Sequence, residues 1–300
     1  MANEVHKMDE RISFQDDLSK MYEKGLYDVP YVMTDSVVFA IGEIEKKNYR
    51  KLPEKELKVL LIKRGTNSFW ELPGGFIHKG VDIDKSAKIK LQQKTGVNDI
   101  HLEQIFTYGG SDRDKRGRIV SICYIALIKA VTVSSGKEFG AEEAEWFKIS
   151  TKLIQSDKEE QTDGYRKESI MQIVLNNNIE ILSAKVKYVK TVKANTVEKT
   201  IEIIESNGIG YDHAEMILYA EKKLKNKLEH SDIAFRLMPQ KFTLMELQQV
   251  YETIIKKEYS KANFQRKIKR LLIETDGVMT GAGFRPAKLY MFNTEWDEEE

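Results

Sequence analysis

The sequence predicts an α/β fold, a mixed sheet with helices, followed by a small helical domain closed by a β-hairpin. Three observations predict it. β-branched runs of strand length dominate residues 31–150, helical periodicity takes over from Asp212, and a hairpin containing Gly281 and Gly283 follows the last helix. Three hundred residues are more than one small core usually organises, so two domains are expected. With 41% hydrophobic and 32% charged residues the composition is that of an ordinary globular chain. No apolar run approaches the roughly eighteen residues of a membrane span, and MANEVHKMDERISF lacks the apolar core of a signal peptide. The expectation is a cytoplasmic protein with no membrane partner. The single cysteine, Cys123, lies in the apolar run IVSICYIALI and is expected to be a buried core residue without a role.

Residues 1–30 read as an N-terminal helical lead-in around DLSKMYEKGLY. In residues 31–150, YVMTDSVVFAIGE and LKVLLIKRG are strands flanking the charged loop IEKKNYRKLPEKE. RIVSICYIALIKAVTV and EEAEWFKIS add two more strands, and LPGGFIHKGVDIDKSAKIKLQQKTGV supplies a loop and a helix. Residues 151–210 read as an insertion or connector: KESIMQIVLNNN suits a helix, and IEILSAKVKYVKTV and KTIEIIE suit two strands turning at residues 193–196. Residues 211–300 form the last unit. It opens with the linker helix DHAEMILYAEKKLKNKL, apolar on one face and lysine-rich on the other. Pro239 breaks the chain. FTLMELQQVYETIIKK then starts with the capping-box pair Thr243 and Glu246, SKANFQRKIKRLLIE takes Ser260 as its N-cap, and the tail EWDEEE is acidic.

Aligning Gly96 as its final glycine, the loop and helix from LPGG resemble the Nudix box of pyrophosphohydrolases, with Gly75 as the first glycine. That family's chemistry rests on helix glutamates, because Mg²⁺ takes hard oxygen ligands beside a diphosphate and a water must be activated. The corresponding positions here are Val81, Ile89, Lys90, Gln93 and Lys94. An ammonium group repels the cation and offers no lone pair, so a degenerate site is expected, with no catalytic residues and no requirement for Mg²⁺. Asp82 and Asp84 sit out of register and suit the positive end of the helix.

The residues around the frame still suit a phosphate-bearing ligand. Arg64, Trp70, Glu71, Gly74 and Gly75 lie at the LPGG turn, and TYGGSDRDKRGRIVS places Asp112, Arg113, Asp114, Arg116 and Arg118 on one loop, of which Asp112, Arg113, Arg116 and Arg118 are the candidate contacts. Guanidinium groups fork onto phosphate oxygens and an aromatic ring stacks on a base. The frame and the RDKRGR loop resemble those of ADP-ribose-recognising Nudix proteins, which implies that class of effector and no other cofactor.

Residues 241–292 hold ten Lys/Arg against five Asp/Glu. On a helical wheel over residues 260–272, Phe264, Ile268, Leu271 and Leu272 share one face, while Asn263, Arg266, Lys269 and Arg270 share the other. Helix, short turn, basic helix and glycine-containing hairpin make a winged-helix layout. Double-stranded DNA suits it: lysine and arginine release counterions from phosphates, and asparagine and arginine pair with base edges. Lys261, Asn263, Arg266, Lys269 and Arg270 on the helix, with Arg285 and Lys288 on the wing, are the candidate contacts. This segment closely resembles the C-terminal domain of the Nudix-related transcriptional regulators of NAD metabolism. The resemblance implies a regulator, a repressor by expectation, whose degenerate Nudix domain senses ADP-ribose while the winged helix binds operator DNA. Two alternatives stand beside it: a Nudix hydrolase such as an ADP-ribose pyrophosphatase, and the same architecture sensing a sugar or sugar phosphate. A homodimer is expected, since one winged helix contacts few base pairs.

Overall fold

A computed structural model describes Gly25 and residues 29–44, 52–65, 68–95, 100–128, 143–279 and 286–296. The lead-in expected over residues 1–30 lies almost wholly outside the described residues. The first domain is a nine-stranded sheet. Its strands are β1 (Tyr31–Ile44), β2 (Glu54–Lys63), β3 (Gly74–Phe76), β4 (His101–Tyr108), β5 (Ile119–Leu127), β6 (Glu143–Gln161), β7 (Gly164–Asn176), β8 (Ile181–Lys193) and β9 (Thr196–Asn207). They run in the order β4-β5-β1-β2-β6-β7-β8-β9, with β3 pairing on β1. β1 is central and buried on both faces, with Val37, Phe39 and Ile41 on one side and Val38 and Ala40 on the other, which explains its continuous apolar run. Helix α1 (Ile83–Thr95) covers one face through Ala87 and Leu91. Helix α2 (His213–Leu228) covers the other through Ala214, Met216, Ile217, Ala220 and Leu224. Cys123 is fully buried in that second layer.

Residues 151–210, expected as an insertion or connector, are an ordered part of the sheet. They continue the sheet as the antiparallel meander β6 to β9, with the β8–β9 turn at residues 193–196 as expected. KESIMQIVLNNN is strand β7, not a helix. Strands flank it on both sides, and its alternate residues Ile173 and Leu175 are fully buried in the core that contains α2, so period-two burial overrides its ambiguous pattern.

The C-terminal domain packs into the same core. A 3₁₀ turn (Ile233–Leu237) precedes β10 (Phe242–Thr243), α3 (Leu244–Ile255), α4 (Lys261–Ile268) and the hairpin β11 (Leu272–Met279) and β12 (Ala287–Phe292), which with β10 makes a three-stranded sheet. The capping box forms: Thr243 Oγ1 accepts from the Glu246 N–H at 3.2 Å, and Glu246 Oε2 accepts from the Thr243 N–H at 2.7 Å. Ser260 caps α4 as expected. α4 is shorter than the sequence suggested. It ends at Ile268, residues 269–271 tighten into a 3₁₀ turn that buries Leu271, and Leu272 pairs with Phe292 in the sheet. α3 rests on the first domain, where Gln249 and Thr253 side chains donate to the Pro53 and Lys55 carbonyls, each at 3.3 Å. Lys256 closes the joint with Nζ 2.6 Å from Thr151 Oγ1 and 3.1 Å from the buried Glu221. No described helix is long and apolar enough to cross a membrane.

Candidate ligand pocket and nucleic-acid face

Three segments distant in sequence meet at one pocket: the turn after β2, the loop of residues 109–118, and the entry to α2. The joint is pinned where His213 Nδ1 accepts the Leu72 N–H at 2.9 Å, which places the proton of neutral His213 on Nε2. Arg113 forks onto Asp212 at 2.8 and 2.9 Å, with only 7% and 17% of the two side chains exposed. Arg116 forks onto the buried Asp114, and its guanidinium lies 5.2 Å from the centre of the Tyr211 ring. The Arg116 hydrogen bond holds Asp114 below the usual carboxylate range. Tyr211 adopts φ 52°, a left-handed conformation unusual for a tyrosine, directly before the Asp212–His213 entry to the helix. Arg64 pairs with Glu71 and donates to the Gly74 carbonyl at 3.0 Å.

The pocket therefore gathers five of the expected ligand residues, Arg64, Glu71, Gly75, Arg113 and Arg116. Four others sit elsewhere. Trp70 is a core residue, edge-on to Phe147 with its indole N–H on Glu180 at 2.6 Å, because burying so large a ring outweighs offering it to a ligand. Gly74 meets the backbone of β1: a Cβ there would lie 2.4 Å from the Thr34 carbonyl oxygen. Asp112 is exposed and accepts from Ser111, and Arg118 turns back onto the Gly109 carbonyl at 2.8 Å, bracing the loop. The structure adds Asp35, Asp114, Tyr211 and His213 to the pocket. Tyr211 supplies the exposed aromatic ring that the sequence reading assigned to Trp70.

On α1, Lys90 Nζ donates to His78 Nε2 at 2.8 Å and the methylene stem of Lys90 lies over Gly75, so a lysine side chain covers the glycine turn. Val81, Ile89 and Gln93 are half-buried. The Lys94 side chain and Gly96 lie outside the described residues. Asp84 is exposed in the first turn of α1, as its position implied, and also accepts from Tyr124 Oη at 2.5 Å. Among the described residues no group of three or more His, Cys, Asp or Glu could hold a metal ion.

Glu215, in the first turn of α2, is half-buried near Asp212 and Arg113. Burial and the Asp212 charge push it up to about 7, with Arg113 opposing. A carboxyl raised in the folded state favours folding below its unfolded value near 4.5 and loses that advantage as pH rises to about 7. Glu215→Gln is expected to flatten stability across this window and to stabilise the protein above it. Thermal melts of both proteins near pH 5 and pH 8 check this, and parallel wild-type and variant profiles would refute it.

The expected basic face spans α4 and the 3₁₀ turn that follows it. Phe264 and Ile268 are fully buried, while Lys261, Asn263, Arg266, Lys269 and Arg270 are all exposed. Arg266 donates to the Asn263 side-chain oxygen at 3.1 Å, which orders the two together. Lys288 is exposed on β12 but ion-paired with Glu274 across the hairpin, so its charge is partly compensated. Arg285 lies outside the described residues.

A sheet domain with a remnant diphosphate frame, tied through one helix to a winged helix with an open basic face, defines a DNA-binding protein with a ligand domain. Comparison with known proteins matches this pairing. The NUDIX domain family matches residues 52–166, and the NrtR DNA-binding winged helix domain matches residues 234–292. The chain is 27% identical over 277 residues to the ADPR responsive transcriptional repressor NtrR of Acinetobacter baylyi, covering 90% of this chain and 85% of that protein. It is 33% identical over 100 residues to the ADP-ribose pyrophosphatase of Methanocaldococcus jannaschii, covering 32% of this chain and 58% of that one. A MutT/nudix family protein from Enterococcus faecalis shares the fold over 97% of this chain and 98% of its own, at 21% identity and TM-score 0.61. Shewanella oneidensis NrtR complexed with a 27mer DNA shares it over 87% and 93%, at 24% identity and TM-score 0.57. The chain thus carries a Nudix domain followed by an NrtR-type DNA-binding winged helix, the pairing of a DNA-binding transcriptional regulator.

Proposed function

We propose that this protein is a cytoplasmic, homodimeric repressor of NAD-metabolism genes whose Nudix domain binds ADP-ribose without hydrolysing it. The observation that carries the reading is the shared construction of pocket and linker. Arg113, Arg116 and Tyr211 converge at the N-terminus of α2, the helix that buries its other end against the winged helix. A ligand held there acts directly on the element joining the two domains. The donors suit a diphosphate: Arg113 Nη1 is buried with no acceptor among the described residues, and Arg116 is half-exposed with donors to spare. The Tyr211 ring offers a stacking surface for a base. Mg²⁺ is not needed to bind an anion that the arginines already neutralise. The similarity to an ADP-ribose-responsive repressor points the same way. Hydrolysis is the second reading, favoured by the similarity to an ADP-ribose pyrophosphatase. Against it stand Ile89, Lys90, Gln93 and Lys94, none of them a carboxylate. A sugar or sugar phosphate as effector is the third.

DNA recognition by α4 has a direct test in the salt dependence of binding to the region upstream of the protein's own gene. Arg266→Ala and Lys269→Ala are each expected to flatten the slope by about one unit if the side chain meets a phosphate. If it meets a base, sequence preference relaxes at a cost of about 1–3 kcal/mol. Asn263→Ala should change specificity and leave the slope intact. Lys222, exposed on α2, serves as the neutral control. If Lys222→Ala weakens binding as much as Arg266→Ala does, α4 is not the recognition element.

A further inference from the structure

The outer half of the β6–β9 meander carries a charge pattern that neither the pocket nor the winged helix uses. Lys158 of β6 stands opposite Lys167 of β7, Lys167 opposite Lys190 of β8, and Lys190 opposite Lys199 of β9. Directly opposed residues point to one face of a sheet, so the four lysines form a single transverse row. Strands about 4.8 Å apart make that row roughly 14 Å long. Like charges placed directly opposite destabilise a sheet, so the row is a cost to folding. Compensation is partial. Glu160 pairs with Lys158 at 2.5 Å, and Lys190 donates to Tyr165 Oη at 2.8 Å. Lys167 and Lys199 are exposed, and neither has an ion pair among the described residues.

The other face of the same strands is built differently. There Arg166 pairs with Glu168 at 2.9 Å and Lys187 with Glu202 at 2.8 Å, while Asp157, Glu159 and Glu198 add further negative charge. Beside its four lysines the row's face carries the carboxylate of Glu160, whereas the other face mixes both signs. The row's side is fixed by the alternation along β7 and β8. Inward from Lys167 and Lys190 the same face continues as Met171, Ile173 and Leu175 and as Val186, Ala184 and Leu182, packed in the core that holds α2 and the winged helix. The lysines therefore face the side of the sheet on which the DNA-binding domain sits.

We propose that this row is a second DNA contact, a flat cationic platform for the phosphate backbone of the duplex flanking the segment held by the winged helix. It rests on the DNA-binding reading given above. A duplex carries one charge per about 1.7 Å with both strands counted, so roughly 14 Å of its axis holds about eight phosphates, of which the near-side ones face the four lysines. No base readout is implied, because lysine ammonium groups on a flat sheet meet phosphates and not groove edges.

The test uses the full-length protein and a long duplex from upstream of its own gene, with affinity measured across a salt series. Lys167→Gln/Lys199→Gln is expected to flatten the salt slope by about two units and to keep or raise the melting temperature, since repulsion is relieved. Lys167→Arg/Lys199→Arg should keep the wild-type slope, as should Lys185→Gln/Lys187→Gln on the opposite face. Should the first double variant fail to fold, Lys199→Gln alone is read, with a change of about one unit. A wild-type protein that binds this DNA while the Lys167/Lys199 variant keeps its slope overturns the platform alone, and equal flattening by the Lys185/Lys187 variant does the same. A wild-type protein with no affinity for the duplex overturns the regulator reading as well. A larger loss on single-stranded RNA than on the duplex would assign the row to RNA and refute the DNA platform.

Discussion

Arg113→Met is expected to cost the fold about 3–5 kcal/mol, because it strands the Asp212 carboxylate at a largely buried site with no partner. The loss concerns position as much as energy. The Arg113–Asp212 fork fastens the loop of residues 109–118 to the first residues of α2, across 99 positions of sequence. The double variant Arg113→Met/Asp212→Leu removes both charges and is expected to recover most of the stability, since an apolar pair of similar volume replaces a buried ion pair at little cost. Affinity for ADP-ribose should stay lost in both. Denaturant titrations and ligand titrations of the single and double variants check this. Retained ADP-ribose affinity in the double variant would remove Arg113 from the ligand site, and a single variant as stable as wild type would mean that the fork contributes nothing to the fold.

Purified protein with ADP-ribose and Mg²⁺ is expected to show turnover at background, because the loss of even one strong charge-stabilising group costs a hundredfold or more and here every helix carboxylate of the frame is absent. Lys90 adds to the deficit, since its stem lies over Gly75 and its ammonium, held by His78, brings a positive charge to the helix position where the frame would need a carboxylate. Binding should persist all the same. ADP-ribose at about a hundred times its dissociation constant should add about 2.7 kcal/mol of stability, read as a raised melting temperature. Turnover of about one per second or faster would contradict the first expectation, and no melting shift with millimolar ADP-ribose, NAD or sugar phosphates would contradict the second.

The elements legible in the sequence were those whose pattern is local. The capping box, the Ser260 N-cap and the apolar stripe of the last domain are each set within a few residues, and Thr243, Glu246, Ser260 and Phe264 do in the structure what their spacing implies. Strand β7 was not legible, because its burial pattern comes from β6, β8 and α2, and a short apolar run carries no mark of its neighbours. The ligand loop was half legible. Arg113 and Arg116 announced a cationic loop, but their partners Asp212 and Tyr211 lie nearly a hundred residues away. Trp70 misled for a related reason: beside a phosphate-binding turn an aromatic suggests stacking, yet the fold buries it against Phe147. The end of α4 was set by tertiary pairing, Leu272 with Phe292, which no helical wheel contains.

What ties the two domains into one device is the position of α2, begun at the pocket by Tyr211, Asp212 and His213 and held farther along by Glu221, whose carboxylate meets Lys256 at the end of α3. An effector that prefers one placement of this helix changes DNA affinity by its differential binding to the two placements. The most direct measurement is the dissociation constant for DNA upstream of the protein's own gene, taken with and without saturating ADP-ribose, together with that for ADP-ribose, taken with and without the DNA. The expected result is a shift of about 5- to 150-fold, equal in both directions because coupling is reciprocal, with the ADP-ribose recovered intact. A DNA affinity indifferent to bound ADP-ribose, or ADP-ribose consumed during the titration, would contradict it.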